Sequence, residues 1–134
     1  MALWQLKGGT TPPTMLWESA QVGTDMSSPV FVGERVFSLN GVGVLICAET
    51  GSGERPWKLR IDEKDGKFSG SPVAAGHTIY VASEKGVLYA VDTTAKDGAV
   101  TGKLELGEPV LCTPSISGKS IYVRSDGTLW RIGK

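Results

Sequence analysis

The sequence predicts an all-β chain, a β-propeller of four-stranded antiparallel blades with about three blades plus partial blades in its 134 residues. Two observations carry the prediction. Ser28-Pro29-Val30-Phe31-Val32-Gly33 returns as Ser71-Pro72-Val73-Ala74-Ala75-Gly76 and again as Thr113-Pro114-Ser115-Ile116-Ser117-Gly118, with the prolines 43 and 42 residues apart. A repeat of ~40–45 residues built from short strands is the mark of a propeller blade. Inside each repeat, runs of β-branched and aromatic residues alternate with glycine-bearing turns, the pattern of consecutive hairpins.

The first strand of each unit follows the Ser/Thr-Pro pair. Proline has no N–H to give a ladder, so it belongs at a strand start or edge, here the innermost strand beside the channel. Gly33-Glu34, Gly76-His77 and Gly118-Lys119 turn the chain into a second strand at Val36–Leu39, Ile79–Ala82 and Ile121–Arg124. A second hairpin is expected at Asn40-Gly41, Glu84-Lys85-Gly86 and Asp126-Gly127, because Gly and Asn tolerate positive φ. Third strands follow at Val44–Ala48, Val87–Val91 and Thr128–Ile132, and outer strands at Arg55–Leu59 and Thr101–Leu106.

At the N-terminus, Leu3-Trp4-Gln5-Leu6 matches the third strands Leu45–Ala48 and Leu129–Ile132, and Met15–Glu18 reads as the outer strand after it. The units are a half blade over 1–25, blades over 26–66 and 67–108, and an incomplete blade over 109–134. A closed ring needs ~4–8 blades. Exposed terminal faces and unpaired edges promote association. The expectation is therefore a homo-oligomer, most simply a dimer completing one propeller. The other reading is an open arc cut from a longer protein, with Met1 an added start.

Charge and composition exclude several classes. Acids and bases balance at 14 each and are dispersed, so no basic block invites nucleic acid. No apolar run reaches the ~18 residues of a membrane span. The first residues lack the basic start and apolar core of a signal peptide. Cys47 and Cys112 fall at different places in the repeat, so they read as small strand residues and not as a pair. His77, the lone histidine, occupies a turn position shared with Glu34 and Lys119, a solvated loop. No zinc set, nucleophile elbow or phosphate loop is present. Trp4 and Trp130 read as inter-blade core, Asp25 and Asp126 as turn acids, and the run 60–67 as a polar loop.

Cys47-Ala48-Glu49-Thr50-Gly51-Ser52-Gly53-Glu54-Arg55-Pro56-Trp57 resembles the tryptophan-docking motif of the pyrroloquinoline-quinone-like (PQQ-like) propeller repeat, roughly Ala-x-Asp-x-x-Thr-Gly-x-x-x-Trp. In that resemblance Glu49 stands for the acid, Ser52 for the threonine, Gly53 for the glycine and Trp57 for the docking tryptophan. The second unit keeps Ala90-Val91-Asp92 and then departs. The resemblance covers essentially the whole chain and is similar to the C-terminal blades of long bacterial proteins, often extracytoplasmic or periplasmic. It implies structural docking roles for Trp17, Trp57, Glu49, Ser52, Gly53 and Asp92.

Quinoprotein dehydrogenases share this repeat, but they hold their quinone on an adjacent-cysteine disulfide with calcium nearby, and neither feature is written here. The sequence therefore predicts no cofactor, no metal and no catalytic residue. It favours a non-catalytic scaffold for protein or peptide partners. The alternative is a channel-site ligand-binding or quinoprotein-type oxidoreductase domain that lacks its catalytic residues. The channel-lining residues Ser27-Ser28, Ser69-Gly70-Ser71 and Cys112-Thr113 are small and uncharged, which suits packing better than acid–base work.

Overall fold

A computed structural model describes residues 1–64 and 66–133. Among these residues, thirteen strands form four antiparallel sheets. The first holds β1 (Ala2–Gln5) and β2 (Thr14–Glu18). The second runs β3 (Val30–Val32), β4 (Arg35–Leu39), β5 (Val44–Glu49) and β6 (Trp57–Arg60) in sequence order. The third repeats that order with β7 (Val73–Ala75), β8 (Thr78–Ala82), β9 (Val87–Asp92) and β10 (Ala99–Glu105). The fourth has β11 (Ser115–Ser117), β12 (Ser120–Arg124) and β13 (Leu129–Gly133). The fold class is the one the repeat predicts.

Side chains on a strand alternate between faces, and each middle sheet buries both. From β4, Val36 joins a cluster with Trp17, Val22, Ile46 and Ala48, against the first sheet. Phe37 and Leu39 face the other way, meeting Ile79, Val81, Tyr89 and Val91 of the third sheet. Ala82 and Leu88 then meet Val123, with Ile121 and Trp130 packed alongside. Burial on both faces is why these strands read as continuous apolar runs.

The inner hairpins follow the sequence. Gly33, Gly76 and Gly118 all have φ near +58° at the first position of two-residue loops, as a type II′ turn requires. The second hairpins follow expectation at Gly86 but differ at Asn40-Gly41 and Asp126-Gly127. Positive φ falls at Gly43 (+79°) and Gly86 (+84°), and not at Gly41 or Gly127. The loops over 40–43 and 83–86 are closed by Asn40 N–H to Val44 O and Ser83 N–H to Val87 O. Only their last residue takes the left-handed conformation, so the Asn-Gly pair is not a two-residue turn here. The outer strand β10 starts at Ala99, two residues before the expected Thr101, with a bulge between Val100 and Gly102.

The N-terminal register also needs correction. Leu3 pairs with Trp17 as Cys47 pairs with Trp57, so Leu3 occupies the Cys47 position and not that of Leu45. A bulge after Leu3 turns Trp4 out, and it is 54% exposed. Trp4 is therefore not inter-blade core, although Trp130 packs against the last seam. In the polar run 60–67, Asp65 lies outside the described residues.

Candidate interaction surface at the blade seams

The seams between sheets are held by contacts at an inner, a middle and an outer level, not all of them present at every seam. At the inner level, the Ser28 N–H donates to Ser71 Oγ at 2.8 Å, and the Ser71 N–H donates to Thr113 Oγ1 at 2.9 Å. Ser28 and Ser71, each preceding a proline, thus hand their N–H to the hydroxyl one blade on. Sequence reading saw only small uncharged residues there; the signal was that every one of the three carries a hydroxyl. Beside this relay the backbones nearly touch, since a Cβ on Gly70 would lie 2.4 Å from Cys112 O.

At the middle level, linker carboxylates cap the next hairpin. Asp25 Oδ2 accepts from Gly41 N–H at 2.7 Å. Glu108 accepts from Ser125 Oγ at 2.5 Å, Gly127 N–H at 3.0 Å and Thr128 Oγ1 at 3.0 Å, while Trp130 Nε1 donates to Ser125 Oγ at 2.9 Å. The Ser125 hydroxyl, then the Gly127 N–H, hold the Glu108 carboxyl below its usual range. A depressed folded-state value means stability that is present above the unfolded carboxylate range and lost as pH falls through the folded one. Glu108→Gln is expected to flatten the acid limb of a pH-dependent thermal melt; an unchanged limb counts against this assignment.

At the outer level the six residues of the docking prediction can be placed. Trp17 is buried, donates from Nε1 to Thr50 O at 2.9 Å, and lays its ring over Gly53, where a Cβ would sit 2.7 Å from it. Gly53 holds φ +72°, its N–H donates to Glu49 O at 2.9 Å, and Ser52 Oγ accepts from Glu54 N–H at 3.2 Å. Glu49 pairs with Arg35 Nε across the sheet at 3.0 Å. Trp57 is also buried but lies over Gly98 of the third sheet, tilted 48° to Phe37 at 5.5 Å. Gly53 therefore faces the preceding sheet's Trp17 and not its sequence neighbour Trp57. Asp92 accepts from both Thr94 N–H (2.8 Å) and Thr94 Oγ1 (2.7 Å), which lower its pKa.

Sequence reading missed Thr50 and Thr93. Thr50 gives N–H and hydroxyl to Glu34 O at 2.9 and 3.0 Å, and Thr93 does the same to His77 O at 3.0 and 2.8 Å. Their spacing of 43 residues was the available signal. It also fixes Glu49 and Asp92 as repeat equivalents. The His77 residue itself is exposed. Both cysteines are free, and burial pushes the Cys47 thiol up to about 11.

The last sheet breaks the pattern on its outward face. The cross-strand pairs Phe37–Cys47 with Leu39–Leu45, and Tyr80–Ala90 with Ala82–Leu88, become Tyr122–Arg131 with Arg124–Leu129. Two arginines stand where apolar groups pack in the earlier seams. Arg131 Nε donates to Ser120 Oγ at 3.1 Å and Arg124 Nε to Ser125 O at 3.1 Å, while Leu129 is 69% exposed. Among the described residues, no group of three or more His, Cys, Asp or Glu could hold a metal ion, and no helix is long and apolar enough to cross a membrane.

A family model for the outer membrane protein assembly factor BamB matches residues 2–101 and 63–134, together nearly the whole chain. The chain belongs to the BamB family. It is 31% identical over 119 residues to BamB of Salmonella typhimurium, covering 78% of this chain and 29% of that protein. The crystal structure of BamB from Moraxella catarrhalis superposes with a TM-score of 0.71 at 18% identity, over 89% of this chain and 36% of that one. A quinohemoprotein alcohol dehydrogenase from Pseudomonas putida HK5 superposes at 0.65 with 13% identity, over 82% and 18%. These structural likenesses carry the fold alone. The chain spans about a third of the length of its BamB relatives.

Proposed function

We propose that this BamB-family chain is a non-catalytic, extracytoplasmic propeller scaffold for protein partners, working in outer membrane protein assembly, and that a second copy completes its ring. The blades are those over 26–66 and 67–108, flanked by the partial units 1–25 and 109–134. Trp17 and Trp57 act as structural docking residues, with Glu49, Ser52, Gly53 and Asp92 shaping the turns that receive them. The family relatives carry the assembly role.

The observation that carries the association is the inner relay. Among the described residues, the Thr113 N–H has no partner, and neither has the Ser28 hydroxyl, although every internal step of the relay pairs those groups. A surface abutting the last sheet must offer carboxylates or carbonyls opposite Arg124 and Arg131, because burying an unpaired charge is costly.

Light scattering behind size exclusion, across a concentration series, tests this directly. A dimer of twice 14.2 kDa is expected, and deleting residues 1–18 is expected to reduce it to monomer. A well-folded monomer at all concentrations rejects the second copy as the closing partner and leaves the ring to other blades.

A further inference from the structure

A cleft of about 350 Å³ opens between the two four-stranded sheets, on the side where their inner hairpins turn. One wall is the Gly33 hairpin and the end of β5, with Val32 and the buried Phe37 as an apolar floor bordered by Arg35 and Glu49. The other wall is His77 with the turn after β9. Arg35 departs from the repeat. The cross-strand pair Arg35–Glu49 is Thr78–Asp92 in the third sheet and Ser120–Gly133 in the fourth, so a hydroxyl serves this position elsewhere. Arg35 Nε donates to Glu49 Oε1 at 3.0 Å, and among the described residues the other N–H groups of its guanidinium have no partner. On the facing wall the His77 ring brings a further N–H donor. Two acids beside the cleft are engaged, Glu49 by Arg35 and Asp92 by the N–H and hydroxyl of Thr94 at 2.8 and 2.7 Å. Glu34 stands exposed at the hairpin tip.

We propose that this cleft binds the carboxylate side chain of a partner polypeptide, held by the free edge of Arg35 with His77 opposite. A guanidinium edge presents parallel N–H groups that match the two oxygens of a carboxylate. An apolar recess with a few convergent polar groups is the common form of a ligand site. The floor of Val32 and Phe37 suits a carboxylate that arrives on an apolar stem, which the methylenes of a glutamate provide. Glu34 limits the affinity, because a like charge stands at the rim. That a polypeptide brings the carboxylate rests on the scaffold reading, whereas the carboxylate chemistry rests on the cleft alone. Neither depends on a second copy closing the ring.

The probe is glutamate blocked as its N-acetyl and α-methylamide derivative, titrated into the full chain at low salt and followed by amide NMR shifts. The glutamine compound, of the same shape and without charge, is the control. Saturable shifts centred on Gly33, Glu34, Arg35, His77 and Thr94 are expected for the glutamate compound alone, with affinity falling as salt is added. Arg35→Thr, which brings in the residue type of the equivalent position 78, is expected to weaken binding about tenfold. Glu34→Gln, at an exposed tip, is expected to tighten it about twofold and carries the test should Arg35→Thr fail to fold. Absence of saturable shifts overturns the proposal, as do equal shifts from the glutamine compound or unchanged affinity in folded Arg35→Thr. Unchanged or weaker binding in Glu34→Gln overturns it as well, since the cleft would then not be reading negative charge. Tighter binding of free glutarate than of the blocked glutamate overturns the polypeptide as the source while leaving a carboxylate site at Arg35, so the scaffold reading fails separately from the chemistry of the cleft.

Discussion

Replacing Trp57 by alanine is expected to cost about 3–5 kcal/mol, the range for deleting a large aromatic from a packed core. The indole is 6% exposed and packs between Phe37 and the turn at Gly98. Removing it opens a cavity at the outer end of the seam between the two four-stranded sheets, where backbone on both sides restricts collapse. Phenylalanine separates packing from hydrogen bonding at this site. Trp57 Nε1 is buried with no hydrogen-bond partner, so Trp57→Phe loses volume and also removes an unsatisfied donor. Its cost is expected to stay below about 2 kcal/mol, since volume loss is then the only debit. Urea denaturation read by circular dichroism gives both values. A loss below about 1 kcal/mol for the alanine variant would sink the assignment of Trp57 as a buried seam residue.

The second large effect is expected at Gly86. Its φ of +84° already disfavours any Cβ, and one built there would lie 1.8 Å from the Glu108 carbonyl oxygen. That neighbour is backbone and cannot rotate aside. The linker is pinned on both sides of the contact, by Leu106 N–H to Gly86 O at 2.8 Å and by the Glu108 carboxylate on the Ser125 hairpin. Gly86→Ala therefore combines left-handed strain with overpacking, together about 2–5 kcal/mol. Gly51→Ala is the control, because a Cβ there meets nothing within 4 Å and its φ is not positive. It is expected to stay within about 0.5 kcal/mol of wild type. Equal losses at the two positions would show that the clash is relieved by movement of the linker.

Several features of the seams were legible in residue order. Proline after Ser or Thr marked the inner strands because proline cannot serve a ladder interior, and the hydroxyls at 71 and 113 each accept from the blade before. Other features were not. The residue opposite the docking indole is fixed by register, and the bulge after Leu3 interrupts that register, so the order of residues 3–6 could not place it. The turn residue with positive φ moved from Gly41 to Gly43 because Asn40 closes a four-residue loop. Gly53 stands four residues before Trp57 in the chain yet faces Trp17, since the motif bridges two sheets.

Sequence alone determined the fold class, the repeat length and nearly every strand, because runs of β-branched and aromatic residues and glycine turns are local properties of the chain. It also determined the neutral, dispersed charge that speaks against electrostatic partners. Tertiary structure decided which residues meet across a seam: the hydroxyl relay, the Glu108 cap and the two arginines on the last face. The relay joins residues about one repeat apart, and whether a side chain is present, replaced or missing at a seam becomes visible only when neighbouring blades are stacked.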